Sequence, residues 1–370
     1  MGRDRAQQPD RRRPDRSHPQ SARHRLRGTM AGSILRSLLA PWWAAQLLTG
    51  AKSFLDNPLI GSEALNRRGL HRWRVATARR LAERRRAALA GQVVAEDREA
   101  FERDGFVIKR DFLPPDSFVA LRDGLLDWSG PAREMVQGDT ITRRYAVDPE
   151  LIRAVPAMKA LLRDPRWQGL ARYVASFDVE PLLYVQSILS RRHDAPPDPQ
   201  TRLHADTFHP TMKAWLFLQD VGPADGPFSY VPGSHRLTPE RLAWEEKRSL
   251  TVGREQDYLS ARGSFRVDEA ELAGLGLPPA KAFAVPANTL VVADTYGFHA
   301  RTISDRPTTR IELFAYSRRN PFLPLAGLDP WSLPGIAERR VPLLWLTHDI
   351  YRRWIGQPWA KAGRKRPGDE

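Results

Sequence analysis

The chain has 370 residues, 41% of them hydrophobic, and eleven tryptophans, which is enough apolar material for one large domain with an extension or for two domains. It contains no cysteine, so disulfide frameworks, zinc–thiolate sites, iron–sulfur clusters and cysteine nucleophiles are excluded. The formal net charge is +15, but residues 1–30 carry +6 and residues 67–86 carry +8, which leaves residues 87–370 almost neutral.

The basic N-terminal quarter predicts contact with an anionic surface, either lipid headgroups or nucleic acid. The alternative is a solvated tail followed by a solvated helix face. Residues 1–30 are rich in Arg, Pro and Gln and have almost no apolar residues, so we expect a disordered basic tail. Met30 is a second candidate start of translation.

Residues 31–95 are expected to form a helical, Arg-rich extension. The apolar run at 33–49, "SILRSLLAPWWAAQLLT", is too short and too interrupted by proline to span a membrane, and its Trp pair suits the lipid–water interface. Residues 63–90 are predicted to be one helix, in which a thin apolar stripe consists of Leu70, Trp73, Thr77, Leu81 and Ala88. We therefore expect residues 33–90 to make a peripheral contact with an anionic membrane, and the alternative is packing against the protein's own core.

From residue 96 the pattern changes to that of a folded domain, expected over residues 96–325. Helices are predicted near 115–128 and 151–175, and they are followed by short strands rich in β-branched and aromatic residues and separated by Pro, Gly and Asn. This spacing predicts an α+β fold with a double-stranded β-helix, a jelly-roll or cupin-like barrel with flanking helices. Residues 326–370 are expected to form a C-terminal helix and a basic tail.

The segment "RLHADTFHP", residues 202–210, predicts a metal site. In an extended segment His204 and Asp206 point to the same face, so both can bind one metal ion. His209 lies an odd number of residues away and is expected to point elsewhere. His299 follows a distant apolar strand, and two His with one carboxylate form the facial triad of non-haem Fe(II) oxygenases.

Such a triad leaves three octahedral positions, which suits a bidentate 2-oxo acid and O₂. The distal carboxylate of the 2-oxo acid needs an anchor, and a planar guanidinium provides two parallel charge-assisted hydrogen bonds. Arg310 begins the strand after His299 and is the candidate, with Glu312 and Phe314 on the same strand face by alternation.

These motifs together resemble the phytanoyl-CoA dioxygenase family of Fe(II)/2-oxoglutarate-dependent oxygenases. The matching pieces are "FERDGFVI", the Gln of "LLYVQSIL", "HAD", "AWLFLQDVGPADGPFSYVPGSHR", and an Arg eleven residues after the distal His. The resemblance implies that Fe(II) binds His204, Asp206 and His299 as catalytic ligands. It implies that 2-oxoglutarate contacts Arg310, Trp215 and Gln186, and that Arg301, which is unusual at its position, lies near the cosubstrate.

The resemblance also assigns structural parts to the segment between the ligands. Gly226, Pro232 and Gly233 would form turns, and His235 would be a loop residue and not a ligand. The segment "SRRHDAPPDPQT" departs from the usual Lys and Gly, for which Arg191 or Arg192 is a candidate substitute.

The implied reaction hydroxylates an aliphatic C–H bond of an organic substrate and releases succinate and CO₂, with O₂ as oxidant. Asp206 is present, which favours hydroxylation over the halogenation done by relatives that lack this carboxylate. The Arg- and Trp-containing extension indicates a lipid or acyl-chain substrate. It also indicates a cytoplasmic protein that can bind peripherally to the inner face of the membrane. The alternatives are a soluble small metabolite or a catalytically silent membrane-associated interaction module, and the charge pattern argues against nucleic acid.

Overall fold

The computed structural model describes residues 30–254, 257–327, 329, 331, 333 and 335–370. The expected tail lies outside these residues apart from Met30. The described residues fall into two units, 30–45 and 46–370, and the first is most of one helix, Met30–Gln46. Within the described residues no helix is both long and apolar enough to cross a membrane.

Thirteen α-helices occur in the described residues, and several begin at the residues that sequence rules favour. Asp148 and Thr238 accept hydrogen bonds from backbone N–H groups of the first turn, with Pro directly after each, and Asp268 forms a capping box. The helices are α1 Met30–Gln46, α2 Glu63–Arg67, α3 Leu70–Leu89, α4 Ala95–Asp104, α5 Pro115–Asp127, α6 Pro149–Ala154, α7 Ala157–Arg163, α8 Pro165–Ala175, α9 Pro239–Thr251, α10 Tyr258–Ala261, α11 Glu269–Gly274, α12 Arg340–Ile350 and α13 Arg352–Ile355.

The strands form two antiparallel sheets. They are β1 Phe106–Lys109, β2 Gly130–Gln137, β3 Thr140–Ala146, β4 Leu182–Ser190, β5 Met212–Phe217, β6 Phe228–Tyr230, β7 Lys281–Ala282, β8 Leu290–Asp294, β9 His299–Arg301, β10 Thr308–Ser317 and β11 Ala360–Lys365. The larger sheet has the order β1-β8-β5-β10-β4-β3-β2-β11, and the smaller has the order β7-β6-β9. This is the expected α+β architecture, and its strand order requires long crossovers typical of a jelly roll.

Aromatic side chains from both sheets pack between them. Trp215 of β5 and Phe228 of β6 have ring centroids 4.2 Å apart, and Phe106 of β1 lies against Tyr230 of β6. The opposite face of the larger sheet is covered by helices, with Leu121, Trp167 and other apolar side chains fully buried there. The interior between the sheets is therefore where inward-facing polar residues can form a site.

The helix predicted over residues 63–90 is divided in two. Gly69 has φ of +89°, a conformation that residues other than glycine rarely adopt, and it separates α2 from α3. The predicted apolar stripe is not the buried face, since Trp73 is exposed and Leu81 is only half-buried. The buried face of α3 instead contains His71, Arg74, Val75, Ala78, Ala82, Arg85, Arg86 and Leu89.

The expectation of a basic C-terminal tail is wrong for residues 360–365. They form β11, which pairs antiparallel with β2 at the edge of the larger sheet. Beyond it, the backbone carbonyl of Arg366 accepts a hydrogen bond from the Tyr145 hydroxyl, and that of Pro367 accepts one from Ser187. An unpaired strand edge has backbone groups that need partners, and this outweighs the repulsion of the basic side chains.

Candidate metal centre and cosubstrate pocket

Backbone pairing brings the two distant histidines together. The N–H of His204 donates to the carbonyl of His299 at 3.0 Å, and the reciprocal bond is also 3.0 Å. This isolated antiparallel bridge joins His204 to the first residue of β9, and the two imidazole centroids lie 4.5 Å apart. The N–H of Asp206 donates to the Thr295 carbonyl at 2.9 Å, so the His-x-Asp segment is held on the same β8–β9 connection.

The three side chains converge as the i, i+2 spacing predicted. The Nε2 atoms of His204 and His299 each lie 3.7 Å from Oδ1 of Asp206. All three ligand atoms lie within 4.8 Å of one another, and all three residues are buried. Among the described residues this is the one group of at least three His, Cys or carboxylate side chains with such spacing.

Both imidazoles are oriented by a backbone carbonyl. Nδ1 of His204 donates to the Arg202 carbonyl at 2.8 Å, and Nδ1 of His299 donates to the Gly297 carbonyl at 2.9 Å. A proton on Nδ1 leaves the lone pair on Nε2, and this fixes the metal-binding tautomer. The Nε2 of His204 is buried without a hydrogen-bond partner, as expected for an atom reserved for a metal.

The ionisation states also suit metal binding. Burial lowers the pKa of His204 well below its usual value, with His299 adding to the effect, and burial together with Lys213 lowers the pKa of His299 to about 4. Burial alone would raise the pKa of Asp206, but Lys213, His299 and Arg318 outweigh it and hold that pKa well below the usual range. At neutral pH the site therefore has two neutral imidazoles and one carboxylate.

The geometry fits an octahedral divalent ion. Two ligands ~2.1 Å from such an ion and at right angles are about 3 Å apart. The observed separations of 3.7 Å are slightly longer, and a small side-chain shift would close the difference. Two imidazoles and one carboxylate on one face match the donor set of non-haem Fe(II) sites.

A cavity of about 150 Å³ adjoins His204 and His299, and Arg310 lies in its wall. Arg310 is buried, and it donates from Nε to Glu312 at 2.9 Å and from Nη1 to the Gly226 carbonyl at 2.5 Å. Glu312 in turn accepts from Gln186 at 2.8 Å. The cavity can therefore take a small dianion between the histidines and a guanidinium.

The remaining predicted cosubstrate residues also line this cavity. Trp215 projects from β5, Gln186 from β4, and Arg301 from β9. Arg301 forms an ion pair with Asp198 at 3.0 Å, so the charge of Arg301 is already balanced by that carboxylate. The predicted substitutes Arg191 and Arg192 are not among the lining residues of this cavity.

Sequence reasoning missed two basic residues in this region. Arg144 of β3 lines the cavity and donates to Gln186 at 2.7 Å, and its guanidinium lies 4.4 Å from the centroid of the Phe314 ring. Lys213 of β5 lies 2.7 Å from Oδ2 of Asp206. The signal for Lys213 was present, because it is two residues before Trp215 and must share its strand face.

The two histidines predicted to stay outside the metal site do so. His209 is buried and bonds through Nδ1 to the carbonyl of Pro210, and His235 is buried against Phe101. Neither belongs to the ligand cluster. Gly226 and Gly233 have φ of +65° and +78°, as expected for the turns of this segment.

Comparison with known proteins agrees with the site. The family model "Phytanoyl-CoA dioxygenase (PhyH)" matches residues 101–267, and no curated protein matches the chain significantly. Similar solved structures include the epimerase SnoN in complex with Fe³⁺, alpha-ketoglutarate and nogalamycin RO, at 20% identity and a TM-score of 0.40, covering 66% of this chain and 93% of that chain. HygX from Streptomyces hygroscopicus with nickel and 2-oxoglutarate has 19% identity and a TM-score of 0.37, covering 60% and 86%. EctD from S. alaskensis with 2-oxoglutarate and 5-hydroxyectoine has 19% identity and a TM-score of 0.38, covering 65% and 83%.

The family match spans the first two predicted ligands and the segment that closes the barrel. The family prediction is confirmed, and so are the jelly-roll fold, the enzyme class and the cofactor set of iron, 2-oxoglutarate and O₂. By this match residues 101–267 are a phytanoyl-CoA dioxygenase (PhyH) domain, and the His-Asp-His cluster agrees with it.

Proposed function

We propose that this protein hydroxylates an aliphatic C–H bond of an organic substrate with consumption of 2-oxoglutarate and O₂ and release of succinate and CO₂. The observation that carries the proposal is the convergence of His204, Asp206 and His299 in a buried site beside an arginine-lined cavity. In a merely structural cluster the polar atoms pair with one another, whereas here both Nε2 atoms lie 3.7 Å from Oδ1 of Asp206, beyond hydrogen-bond distance, and Nε2 of His204 has no other partner.

In this proposal His204, Asp206 and His299 hold Fe(II), which supplies the oxidising chemistry when bound. Arg310 binds the distal carboxylate of 2-oxoglutarate, and Glu312 and the Gly226 carbonyl hold its guanidinium in place for this contact. The other predicted cosubstrate residues shape the cavity: Gln186 holds Glu312 through a hydrogen bond, Trp215 forms an apolar wall, and Arg301 contributes a paired cation.

The family domain is proposed to occupy residues 96–325, preceded by a helical, Arg-rich extension at 31–95 and followed by a C-terminal segment at 326–370. A lipid or acyl chain remains the proposed substrate, because the N-terminal segment combines Trp, Leu and basic residues. A soluble small molecule is the alternative substrate, since Arg74, Arg85 and Arg86 of α3 are buried and are not available to contact lipid.

Metal binding and succinate formation test the proposal together. Iron-loaded, anaerobically prepared protein is mixed with 2-oxoglutarate and O₂, with and without a lipid extract, beside His204→Ala. The matched control is His193→Ala, since His193 is exposed and outside the site. We expect the wild type and His193→Ala to bind one metal ion and form succinate, and His204→Ala to lose both. Wild-type protein that binds neither metal nor 2-oxoglutarate would contradict the proposal.

A further inference from the structure

Three cationic side chains surround the carboxylate of the candidate metal centre. Nζ of Lys213 lies 2.7 Å from Oδ2 of Asp206, and Nη2 of Arg318 lies 3.8 Å from the same oxygen. Nζ of Lys52 donates to the backbone carbonyl of Asp206 at 2.5 Å. One metal-binding residue therefore contacts three cations from three different parts of the chain.

Lys52 comes from a segment outside the region that matches the family. It precedes α2, and the matched region begins at residue 101. Its loop is held in position by Arg74 of α3, which donates to the carbonyls of Thr49 and Ala51 at 2.9 and 2.6 Å. The N–H of Phe54 also donates to the Ala261 carbonyl. The N-terminal extension thus places a cation at the metal centre by a fixed set of hydrogen bonds.

The positive charge at this end of the site exceeds the negative charge. The other two carboxylates near the cavity are already engaged, Glu312 with Arg310 and Asp198 with Arg301. Asp206 alone faces the three cations, and a divalent metal bound there would share its charge as well. Among the described residues neither Lys52 nor Arg318 forms an ion pair with a carboxylate other than Asp206, so both keep donors for an additional anion.

The cluster reaches solvent through Arg318, and Lys213 also lines the cavity proposed for the cosubstrate. Arg318 has 41% of its side chain exposed. Arg310 and Arg318 lie near opposite ends of β10, so an anion at Lys52 and Arg318 does not compete for the Arg310 guanidinium.

We infer that Lys52, Lys213 and Arg318 bind an oxyanion of the substrate, a phosphate or a carboxylate, beside the metal centre. The inference rests on the proposed function and narrows its substrate to an anionic molecule. The bound oxyanion would accept charge-assisted hydrogen bonds from the two ammonium groups and the guanidinium, and it would position the rest of the substrate over the metal. A lipid headgroup and a soluble metabolite share this chemistry.

The test measures anion binding without turnover. Full-length protein loaded with Ni²⁺ and 2-oxoglutarate is titrated with inorganic phosphate and, separately, with acetate by calorimetry, beside Lys52→Met, Lys52→Arg and Arg318→Met. Arg306→Met is the control, because Arg306 is an exposed cation paired with Asp225 on another part of the surface. The Ni²⁺ and 2-oxoglutarate affinities are measured for every variant, and these loading steps report on the proposed function independently.

We expect at least one of the two anions to bind, and both Met variants to weaken that binding by about tenfold while Ni²⁺ and 2-oxoglutarate affinities stay unchanged. Lys52→Arg should restore much of it, and Arg306→Met should match the wild type. The inference is overturned if neither anion binds, if anion binding is the same in the Met variants, or if these variants lose 2-oxoglutarate or Ni²⁺ affinity in parallel, since the cations would then serve only the cosubstrate or Asp206.

Two further ligands distinguish a lipid headgroup from a soluble molecule as the source of the oxyanion. If the protein binds vesicles containing phosphatidic acid but not phosphatidylcholine vesicles, and this binding requires Lys52, the inference is supported and the oxyanion is a lipid headgroup. If the protein binds glycerol 3-phosphate through Lys52 but does not bind either kind of vesicle, the inference is supported and the oxyanion belongs to a soluble substrate.

Discussion

Replacing Arg86 tests whether the arginine-rich helix α3 is part of the protein core. Arg86 is buried, and its Nη2 contacts Oδ2 of Asp294 at 2.9 Å and the Val174 carbonyl at 2.7 Å. The other carboxylate oxygen of Asp294 accepts the N–H groups of Thr211 and Tyr296. Arg86→Met leaves the fully buried Asp294 without its cation.

The expected loss follows from that geometry. Removing one partner of a buried, hydrogen-bonded ion pair costs about 3–5 kcal/mol, because the remaining charge stays in a low-dielectric environment. A typical domain has only about 5–15 kcal/mol of stability, so the change should be large in urea or guanidinium denaturation. Adding Asp294→Asn removes the stranded charge, and the double variant should be more stable than the sum of the two single losses predicts.

The control is Arg84→Met on the same helix, since Arg84 is exposed. A surface substitution should change the free energy of unfolding by no more than about 0.5 kcal/mol. If Arg86→Met destabilises the protein no more than Arg84→Met does, α3 is not part of the core and the reasoning about its buried arginines is refuted.

Three further predictions concern the site. Gly297→Ala would place a Cβ 1.8 Å from the Tyr230 hydroxyl, so we expect a loss of about 1–3 kcal/mol in denaturation and weaker metal binding by calorimetry. Arg310→Lys keeps the charge but loses the planar fork, so KM for 2-oxoglutarate should rise about tenfold in the succinate assay while metal affinity is unchanged. Burial lowers the pKa of His209 to about 3, so the unfolded chain binds more protons between pH 6.5 and 3. The free energy of unfolding of metal-free protein should therefore fall as pH falls through this window, by up to about 1.4 kcal/mol per pH unit for this residue. In denaturation experiments at several pH values, the free energy of unfolding of His209→Gln should fall less steeply.

Each of these predictions has its own contrary result. A Gly297→Ala variant as stable as the wild type would show that the Tyr230 ring, whose hydroxyl and Cζ would lie 1.8 and 2.4 Å from the new Cβ, moves aside without cost. An unchanged KM in Arg310→Lys would remove Arg310 as the cosubstrate anchor. Identical pH dependence of His209→Gln and the wild type would mean that His209 does not resist protonation in the folded state.

Much of the candidate site could be predicted from local rules. The i, i+2 spacing of His204 and Asp206 indicates a shared face in extended chain, and the structure has both side chains directed to one point. Alternation along β10 placed Arg310 and Glu312 on one side, and they form an ion pair. These features depend only on neighbouring residues, so a single sequence contains the necessary information.

The arginines of α3 show where local rules fail. Counting charges predicted a basic surface, yet Arg74, Arg85 and Arg86 are buried and donate to backbone carbonyls that are distant in sequence. A guanidinium has five donors and a long apolar stem, so it can satisfy carbonyls at the ends of other helices and loops. Whether an arginine faces water or such carbonyls depends on the packing partners, which periodicity does not contain.

The sequence by itself determined the shared face of His204 and Asp206, that of Arg310 and Glu312, the ligand types and the resemblance to the family, because strand alternation and motif spacing are properties of short segments. Only the tertiary structure decided that His204 and His299 meet through a backbone bridge, that Lys52 reaches Asp206, and that residues 360–365 complete the sheet edge. Each of these contacts joins segments about ninety or more residues apart in the chain. They form because folding the whole chain pairs polar groups that no local segment can satisfy alone.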